Sequence, residues 1–144
     1  MKEMKHLGAY GLVVVDGKMA LIRKSRGAYT GKLDVPGGTI EFGERPEETL
    51  VREIKEELDA DVKDYSLFDA ESVTVDWNYE GEDIHMLHLG IFYKVTLNNN
   101  KLKSDSDGLD SLGANWYEIK KLKKDEVSPL VWIELKKLKK EISN

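Results

Sequence analysis

Residues 38–60 read GTIEFGERPEETLVREIKEELDA, and this stretch decides how the chain is interpreted. It contains the string REIKEE at positions 52–57. At about 100° per residue, Glu53, Glu56 and Glu57 share one face of a helix. Three carboxylates crowded in this way repel one another, and a bound cation relieves the repulsion. Because every ligand would be an oxygen, a hard cation such as Mg²⁺ or Mn²⁺ suits the cluster.

The same stretch resembles the Nudix box, the signature of the Nudix hydrolases, whose pattern is G-x5-E-x7-R-E-U-x-E-E-x-G-U with U a bulky aliphatic residue. Both long gaps have the family's length, and the matching positions are Gly38, Glu44, Arg52, Glu53, Ile54, Glu56 and Glu57. Two positions depart: Asp59 stands where the family has Gly, and Ala60 where it has a bulky aliphatic residue. The resemblance implies an α/β/α sandwich, with a mixed sheet between helices, and a single Nudix hydrolase domain over residues 1–144.

The resemblance also implies which residues form the site. The implied metal ligands are Gly38 (through its carbonyl), Glu53, Glu56 and Glu57. The implied catalytic residues are Glu53, Glu56, Glu57 and Arg52. We expect Arg52 to orient the glutamates, because a guanidinium holds carboxylates bidentately. Glu44 is expected to support the site, and Gly37 lets the backbone approach the ion closely.

The implied reaction is attack of water on the pyrophosphate bridge of a nucleoside diphosphate linked to another group, such as a nucleoside triphosphate or ADP-ribose. Mg²⁺, or Mn²⁺ in its place, would neutralise phosphate oxygens and lower the pKa of bound water. The partner is then a small nucleotide. The alternative is a binding module of the same fold that senses a nucleotide without cleaving it. Such modules typically lose box carboxylates, whereas this chain keeps them.

Residues outside the box supply further candidates. A general base could be a box glutamate or an acid on a later loop, so the candidates are Glu56, Glu57, Glu80, Glu82, Asp83, Asp107 and Asp110. Aromatic faces stack bases and cations hold phosphates, which makes substrate-binding candidates of Arg23, Tyr29, Trp77 and Tyr79. Asp110, on the loop before the last strand, is a further substrate-binding candidate. Lys24, Arg26 and Lys32 are further candidates for phosphate contacts. His85 and His88 are three apart and point to opposite faces of a strand, so we expect one of them to be buried.

The composition limits the class of protein. A chain of 144 residues is long enough for one domain with a substantial core, and no apolar run approaches the length of a membrane span. Cysteine is absent, which excludes disulfides and thiolate catalysis and fits a cytoplasmic protein. The net charge of −5 disfavours non-specific binding to nucleic acid. A capped RNA stays among the substrates to consider.

The periodicity predicts strands and two helices. Strands are predicted at residues 9–15, 19–22, 33–35, 39–42, 65–75, 84–97 and 114–119, with residues 76–83 a polar connection. The first helix should run from Pro46 to Asp59, with Asp59 in a left-handed conformation. Its buried stripe should be Leu50, Val51, Ile54 and Leu58. A final helix is expected at residues 129–140, and the two long strands offer a surface for a homodimer.

Overall fold

The computed structural model describes residues 1–104 and 111–143 of the chain. Most of the secondary-structure elements in these ranges are strands. Within the described ranges, the elements are β1 (Lys2–Val15), β2 (Lys18–Lys24), β3 (Leu33–Asp34), β4 (Gly37–Thr39), α1 (Pro46–Leu58), β5 (Val62–Tyr79), β6 (Glu82–Leu97), β7 (Ser111–Glu118) and α2 (Pro129–Ser143). No helix in these ranges is long and apolar enough to cross a membrane.

The strands form one mixed sheet, ordered β3-β2-β1-β6-β5, with β4 paired to β1 and β7 paired to β2. Its centre is the parallel pair of β1 and β6, which runs from Lys2 opposite Ile84 to Val13 opposite Val95. The other pairings are antiparallel. The middle of the sheet is thus built from strands far apart in the sequence.

The two helices cover opposite faces of this sheet. Successive residues of a strand point to opposite faces, and the core divides accordingly. Leu12 and Met19 pack in the cluster that contains the α2 side chains, whereas Val13 and Ala20 pack in the cluster that contains the α1 side chains. The protein is therefore an α/β/α sandwich with a mixed sheet between helices, which confirms the predicted fold class.

Helix α1 packs its apolar side against the sheet, and the acidic residues of the box lie next to that side on the same helix. Leu50, Ile54 and Leu58 have no exposed surface, as predicted. Val51 was expected in the same stripe, but 46% of its surface is exposed. The prediction for Val51 was wrong because the buried arc extends the other way around the helix, where Glu57 is 1% exposed. A carboxylate of the box is thereby placed against the sheet.

The ends of α1 explain its boundaries. No Ser, Thr, Asp or Asn precedes the helix, but Glu48 Oε1 accepts the Arg45 backbone N–H at 2.9 Å, one half of a capping box. Pro46 occupies the first helical position. At the other end, Asp59 adopts the left-handed conformation (φ 52°, ψ 44°), as predicted. Asp thus ends the helix at a position where the Nudix pattern has Gly.

Several strand boundaries differ from the prediction. β1 begins at Lys2, not residue 9, because its polar first half pairs along β6. The predicted connection 76–83 is mostly strand, since β5 and β6 continue to a tight turn at Glu80 and Gly81. β4 covers Gly37–Thr39, where it pairs with β1, and not residues 39–42.

Candidate functional site

Strand β4 brings the backbone of Gly37 and Gly38 alongside the acidic face of α1. The Gly37 N–H donates a hydrogen bond to Glu57 Oε1 at 2.8 Å. Gly37 has φ 144°, and a Cβ there would lie 2.2 Å from the Ala9 carbonyl oxygen, so only glycine fits. A Cβ on Gly38 would lie 2.6 Å from Glu53 Oε1. The two glycines therefore let two box carboxylates reach the backbone of β4.

The Arg52 guanidinium contacts three carboxylates of the box, those of Glu44, Glu53 and Glu56. Its Nε and Nη2 donate to the two oxygens of Glu44 at 2.8 and 3.0 Å. Its Nη1 donates to Glu53 Oε1 at 3.0 Å and to Glu56 Oε1 at 3.5 Å. Nη2 also reaches the Thr39 carbonyl at 3.3 Å. Arg52 thus contacts three carboxylates and the end of β4 at once.

Glu44 is fixed on several sides. Besides Arg52, the Glu41 backbone N–H donates to its Oε1 at 3.0 Å, and the Thr49 hydroxyl donates to the same atom at 2.8 Å. The Arg52 hydrogen bonds, followed by the Glu41 N–H, lower the pKa of Glu44 to about 2. The same contact raises the pKa of Arg52. Glu44 is therefore a permanently charged support for the turn that leads into α1.

The carboxylates of Glu53, Glu56 and Glu57 are not gathered around one point. Among the described His, Asp and Glu side chains, no group of three is gathered closely enough to hold a cation directly. Arg52 lies between Glu44, Glu53 and Glu56, while Glu57 is turned to Gly37. Glu56 is the most solvent-accessible of the three helix glutamates, with 43% of its side chain exposed against 13% for Glu53, while Glu57 is 1% exposed. An all-oxygen donor set nevertheless lies along one helix face.

A cavity of about 360 Å³ opens beside this face. Its volume is that of a small-ligand site. Gly38, Glu53 and Glu41 line it, as do the cations Lys24 and Arg26. The remainder of the lining includes Met4, His6, Tyr10, Tyr29, Asp34, Trp77, Met86 and His88. The cavity therefore joins an acidic wall, two cations and a group of aromatic side chains.

The predicted substrate contacts divide. Tyr29 and Trp77 line the cavity. Arg23 does not; its guanidinium donates to the Gly31 carbonyl at 2.9 Å. Tyr79 is 54% exposed and does not line the cavity; its ring centroid lies 5.8 Å from that of Trp77. Asp110 lies outside the described residues, as does Asp107. None of the described base candidates lines the cavity: Glu56 and Glu57 lie on α1 beside it, and Glu80, Glu82 and Asp83 lie at the β5–β6 turn. Lys32 donates to the Asp125 carbonyl.

Sequence reasoning missed a polar group in the cavity wall. His88 is 3% exposed, which confirms that one of the two histidines is buried. Its Nε2 contacts the Tyr10 hydroxyl at 2.6 Å, and its Nδ1 contacts the Tyr29 hydroxyl at 2.7 Å. The ring of His6 stacks on it at 4.3 Å. The only sequence signal was a histidine between two leucines, Leu87 and Leu89, and nothing local paired it with two distant tyrosines.

Comparison with known proteins agrees with the geometry. Residues 4–141 match the NUDIX domain family. An ADP-ribose pyrophosphatase of Methanocaldococcus jannaschii is 45% identical over 47 residues, which are 33% of this chain and 28% of that protein. An 8-oxo-dGTP diphosphatase of Escherichia coli (strain K12) is 38% identical over 55 residues, 38% of this chain and 43% of that protein. The matched segments thus span less than half of either relative.

Two solved structures share the fold. A MutT NUDIX hydrolase from Burkholderia pseudomallei superposes with a TM-score of 0.68 at 21% identity, over 92% of this chain and 97% of that one. A mutator MutT protein from Bacillus halodurans gives a TM-score of 0.70 at 22% identity, over 91% and 80%. At these identities the likeness concerns the fold alone. Because the family match extends from residue 4 to residue 141, the chain belongs to the NUDIX domain family.

Proposed function

We propose that the protein is a metal-dependent hydrolase that cleaves the pyrophosphate bridge of a nucleoside diphosphate linked to another group. One observation carries the proposal: the cavity that Glu53 and Gly38 line is also lined by Lys24 and Arg26. Phosphate oxygens need cations around them, whereas a metal needs carboxylates. A cavity with both, and with aromatic side chains, suits a nucleotide. The proposed unit is a single domain over residues 1–144.

The residues present fit a hard divalent cation. Every available donor is an oxygen, as Mg²⁺ and Mn²⁺ prefer. The absence of a Cβ on Gly38 leaves room for Glu53 beside the backbone. Glu53, Glu56 and Glu57 would hold the ion, with the Gly38 carbonyl as a further ligand. When bound, such an ion neutralises phosphate oxygens and lowers the pKa of coordinated water.

The chain's own side chains would position the reacting groups. Arg52 keeps Glu53 and Glu56 on one face through its Nη1, and Glu44 keeps Arg52 in place. Glu56 has a single contact of this network, at 3.5 Å, and is the most exposed of the three box glutamates that are the proposed ligands. We therefore propose that Glu56 is the general base that accepts a proton from the attacking water. Lys24 and Arg26 would bind the substrate phosphates.

The aromatic part of the cavity would hold the group beyond the phosphates. Tyr29, Trp77 and Met86 pack together there in one apolar cluster. Flat or polarizable side chains of this kind bind the face of a nucleobase. The names of the two relatives suggest the compounds to try first, ADP-ribose and an 8-oxo-purine deoxynucleoside triphosphate.

The test is a panel of nucleotides, including these two, incubated with the protein and Mg²⁺ or Mn²⁺, with products separated by chromatography. Glu56→Gln should abolish cleavage of the compound that wild type cleaves. Glu47→Gln is the matched control, since Glu47 is on the same helix but pairs with Arg45 at the surface. Binding of a nucleotide without cleavage by wild type would contradict the proposal and favour the sensing module. Equal activity of Glu56→Gln and wild type would remove Glu56 from the reaction.

A further inference from the structure

The loop that follows β2 has a single buried side chain, and its last residue, Lys32, also donates to the Asp125 carbonyl. Of residues 25–32, all of them described, only Tyr29 is buried. The loop closes on itself through backbone hydrogen bonds, with the Gly31 N–H donating to the Lys24 carbonyl and the Lys24 N–H to the Lys32 carbonyl, each at 2.9 Å. This pattern makes the loop a compact unit whose buried anchor is Tyr29.

Tyr29 meets the sheet at His88. Its hydroxyl lies 2.7 Å from His88 Nδ1, and the other ring nitrogen lies 2.6 Å from the Tyr10 hydroxyl. Tyr29, His88 and Tyr10 are 7%, 3% and 5% exposed. A histidine of β6 therefore bridges a tyrosine of the 25–32 loop to a tyrosine of β1.

The protons in this bridge can be assigned as a set. Burial, followed by the nearby His6 and Lys24, lowers the pKa of His88 to about 3, so its ring is neutral near pH 7. Burial raises the pKa of both tyrosines. A neutral imidazole has one N–H donor and one acceptor nitrogen. His88 thus accepts the O–H of one tyrosine and donates its N–H to the oxygen of the other, with every group uncharged.

The two tyrosines belong to different halves of the candidate site. Tyr10 pairs with Gly37 across the β1–β4 ladder, and a Cβ on Gly37 would lie 2.7 Å from the Tyr10 Cα. Tyr10 is therefore the strand neighbour of Gly37, whose N–H binds Glu57. Tyr29 belongs to the loop that carries Arg26 and is hydrogen-bonded through its backbone to Lys24, the last residue of β2; Lys24 and Arg26 are the two cations of the cavity.

We propose that His88 is a positioning residue that fixes the 25–32 loop, and with it Lys24 and Arg26, against the carboxylate face of the site. The proposal rests on the proposed function, because it assigns the two cations to the substrate phosphates. Its effect is on substrate binding. When the bridge is broken, the loop moves and the cations lose their alignment, while the box carboxylates on α1 keep theirs.

A buried histidine could instead serve only to satisfy two buried hydroxyls, and the variants separate these roles. Tyr29→Phe removes one oxygen and leaves the ring in place. His88→Leu removes both hydrogen bonds. His88→Gln keeps one donor and one acceptor on a neutral side chain. Tyr65→Phe is the matched control, on β5 and 44% exposed. Urea unfolding of each variant reports stability separately.

The readouts are the kinetic constants and the exchange of the Gly31 and Lys24 amide hydrogens, which close the loop. Losing one hydrogen bond should raise KM about fivefold, while kcat stays within about twofold. Amide exchange should accelerate in Tyr29→Phe and His88→Leu and return toward wild type in His88→Gln. Tyr65→Phe should change neither readout.

Unchanged amide exchange in Tyr29→Phe would overturn the proposal, because the loop would not depend on the bridge. A His88→Gln variant as impaired as His88→Leu would also overturn it, since shape and not hydrogen bonding would then matter. If wild type cleaves no nucleotide, the proposed hydrolase fails. The exchange comparison needs no activity and still decides whether His88 holds the loop.

Discussion

Arg52 binds both oxygens of Glu44, through Nε at 2.8 Å and Nη2 at 3.0 Å, and its third nitrogen donates to Glu53 at 3.0 Å. One guanidinium thus links the turn before α1 to Glu53, a proposed metal ligand on α1. The planar fork is needed for this, because a lysine ammonium cannot meet two oxygens of one carboxylate and still reach a second carboxylate in a fixed direction.

We therefore expect Arg52→Lys to lower kcat by about ten- to a hundredfold, the usual effect of losing a residue that hydrogen-bonds to metal ligands. Steady-state kinetics on the cleaved nucleotide measures it. Arg45→Lys is the matched control, because Arg45 pairs only with Glu47 in the described contacts of its guanidinium. If both variants retain wild-type kcat, the fork of Arg52 has no part in the reaction.

Gly38→Ala should weaken metal binding without unfolding the protein. A Cβ at this position would lie 2.6 Å from Glu53 Oε1, so the carboxylate must move away from the backbone. We expect the affinity for Mn²⁺, measured by calorimetric titration, to fall at least about tenfold. Gly11→Ala is the control, since its Cβ would crowd Ile54 and Leu50 at 3.0 and 3.3 Å in the core. That variant should lose stability and keep its metal affinity; the reverse pattern would contradict the assignment of Gly38.

Leu50→Ala should lower the free energy of unfolding by about 2–5 kcal/mol. Leu50 is completely buried between α1 and the sheet, and the truncation leaves a cavity there. Val51→Ala on the same helix should cost less than about 1 kcal/mol, because Val51 is 46% exposed. Urea unfolding of both variants makes the comparison. Equal losses would show that the α1 face is not oriented as described.

Glu134 on α2 should make stability depend on pH. It is completely buried, and burial, followed by its contact with Asp69, raises its pKa to about 8. A glutamate in the unfolded chain has a pKa of about 4.3. The folded protein therefore holds an extra proton between these values, and the free energy of unfolding should fall as the pH rises through that window.

Urea unfolding at about pH 5.5 and at about pH 8 measures this slope. Glu134→Gln, which cannot lose a proton, should remove most of it. Asp69 has a lowered pKa because of its contacts with Glu134 and Lys137, so its own contribution is lost only at more acidic pH. Glu141→Gln is the control, since Glu141 is half exposed on the same helix. The same slope in Glu134→Gln and wild type would rule out Glu134 as its source.

The features that the sequence predicts well are those set by neighbouring residues. The α1 boundaries follow from Pro46 and from the left-handed Asp59, and the acidic face follows from helical spacing alone. The buried arc was misjudged at Val51, because hydrophobicity cannot show that Glu57 turns inward to bind the Gly37 amide. That contact depends on where β4 lies.

The remaining features depend on long-range pairing. The polar first half of β1 has no strand signal of its own and is ordered by β6. The Tyr10–His88–Tyr29 bridge joins residues 78 and 59 positions apart. A histidine and two tyrosines at such separations have no spacing rule. Their juxtaposition comes from the sheet register and could not be read from the chain.

The parallel pairing of β1 with β6 also has a consequence for synthesis of the protein on the ribosome. The box helix leaves the exit tunnel well before Ile84–Val95, the partners of β1. Until β6 emerges, β1 has no neighbour on that side, and its apolar residues between Ala9 and Val13 stay uncovered. Pairings at this separation form slowly. The nascent chain therefore passes through a stage in which the apolar part of β1 is exposed, and the cavity beside α1 closes only once His88 has been synthesised.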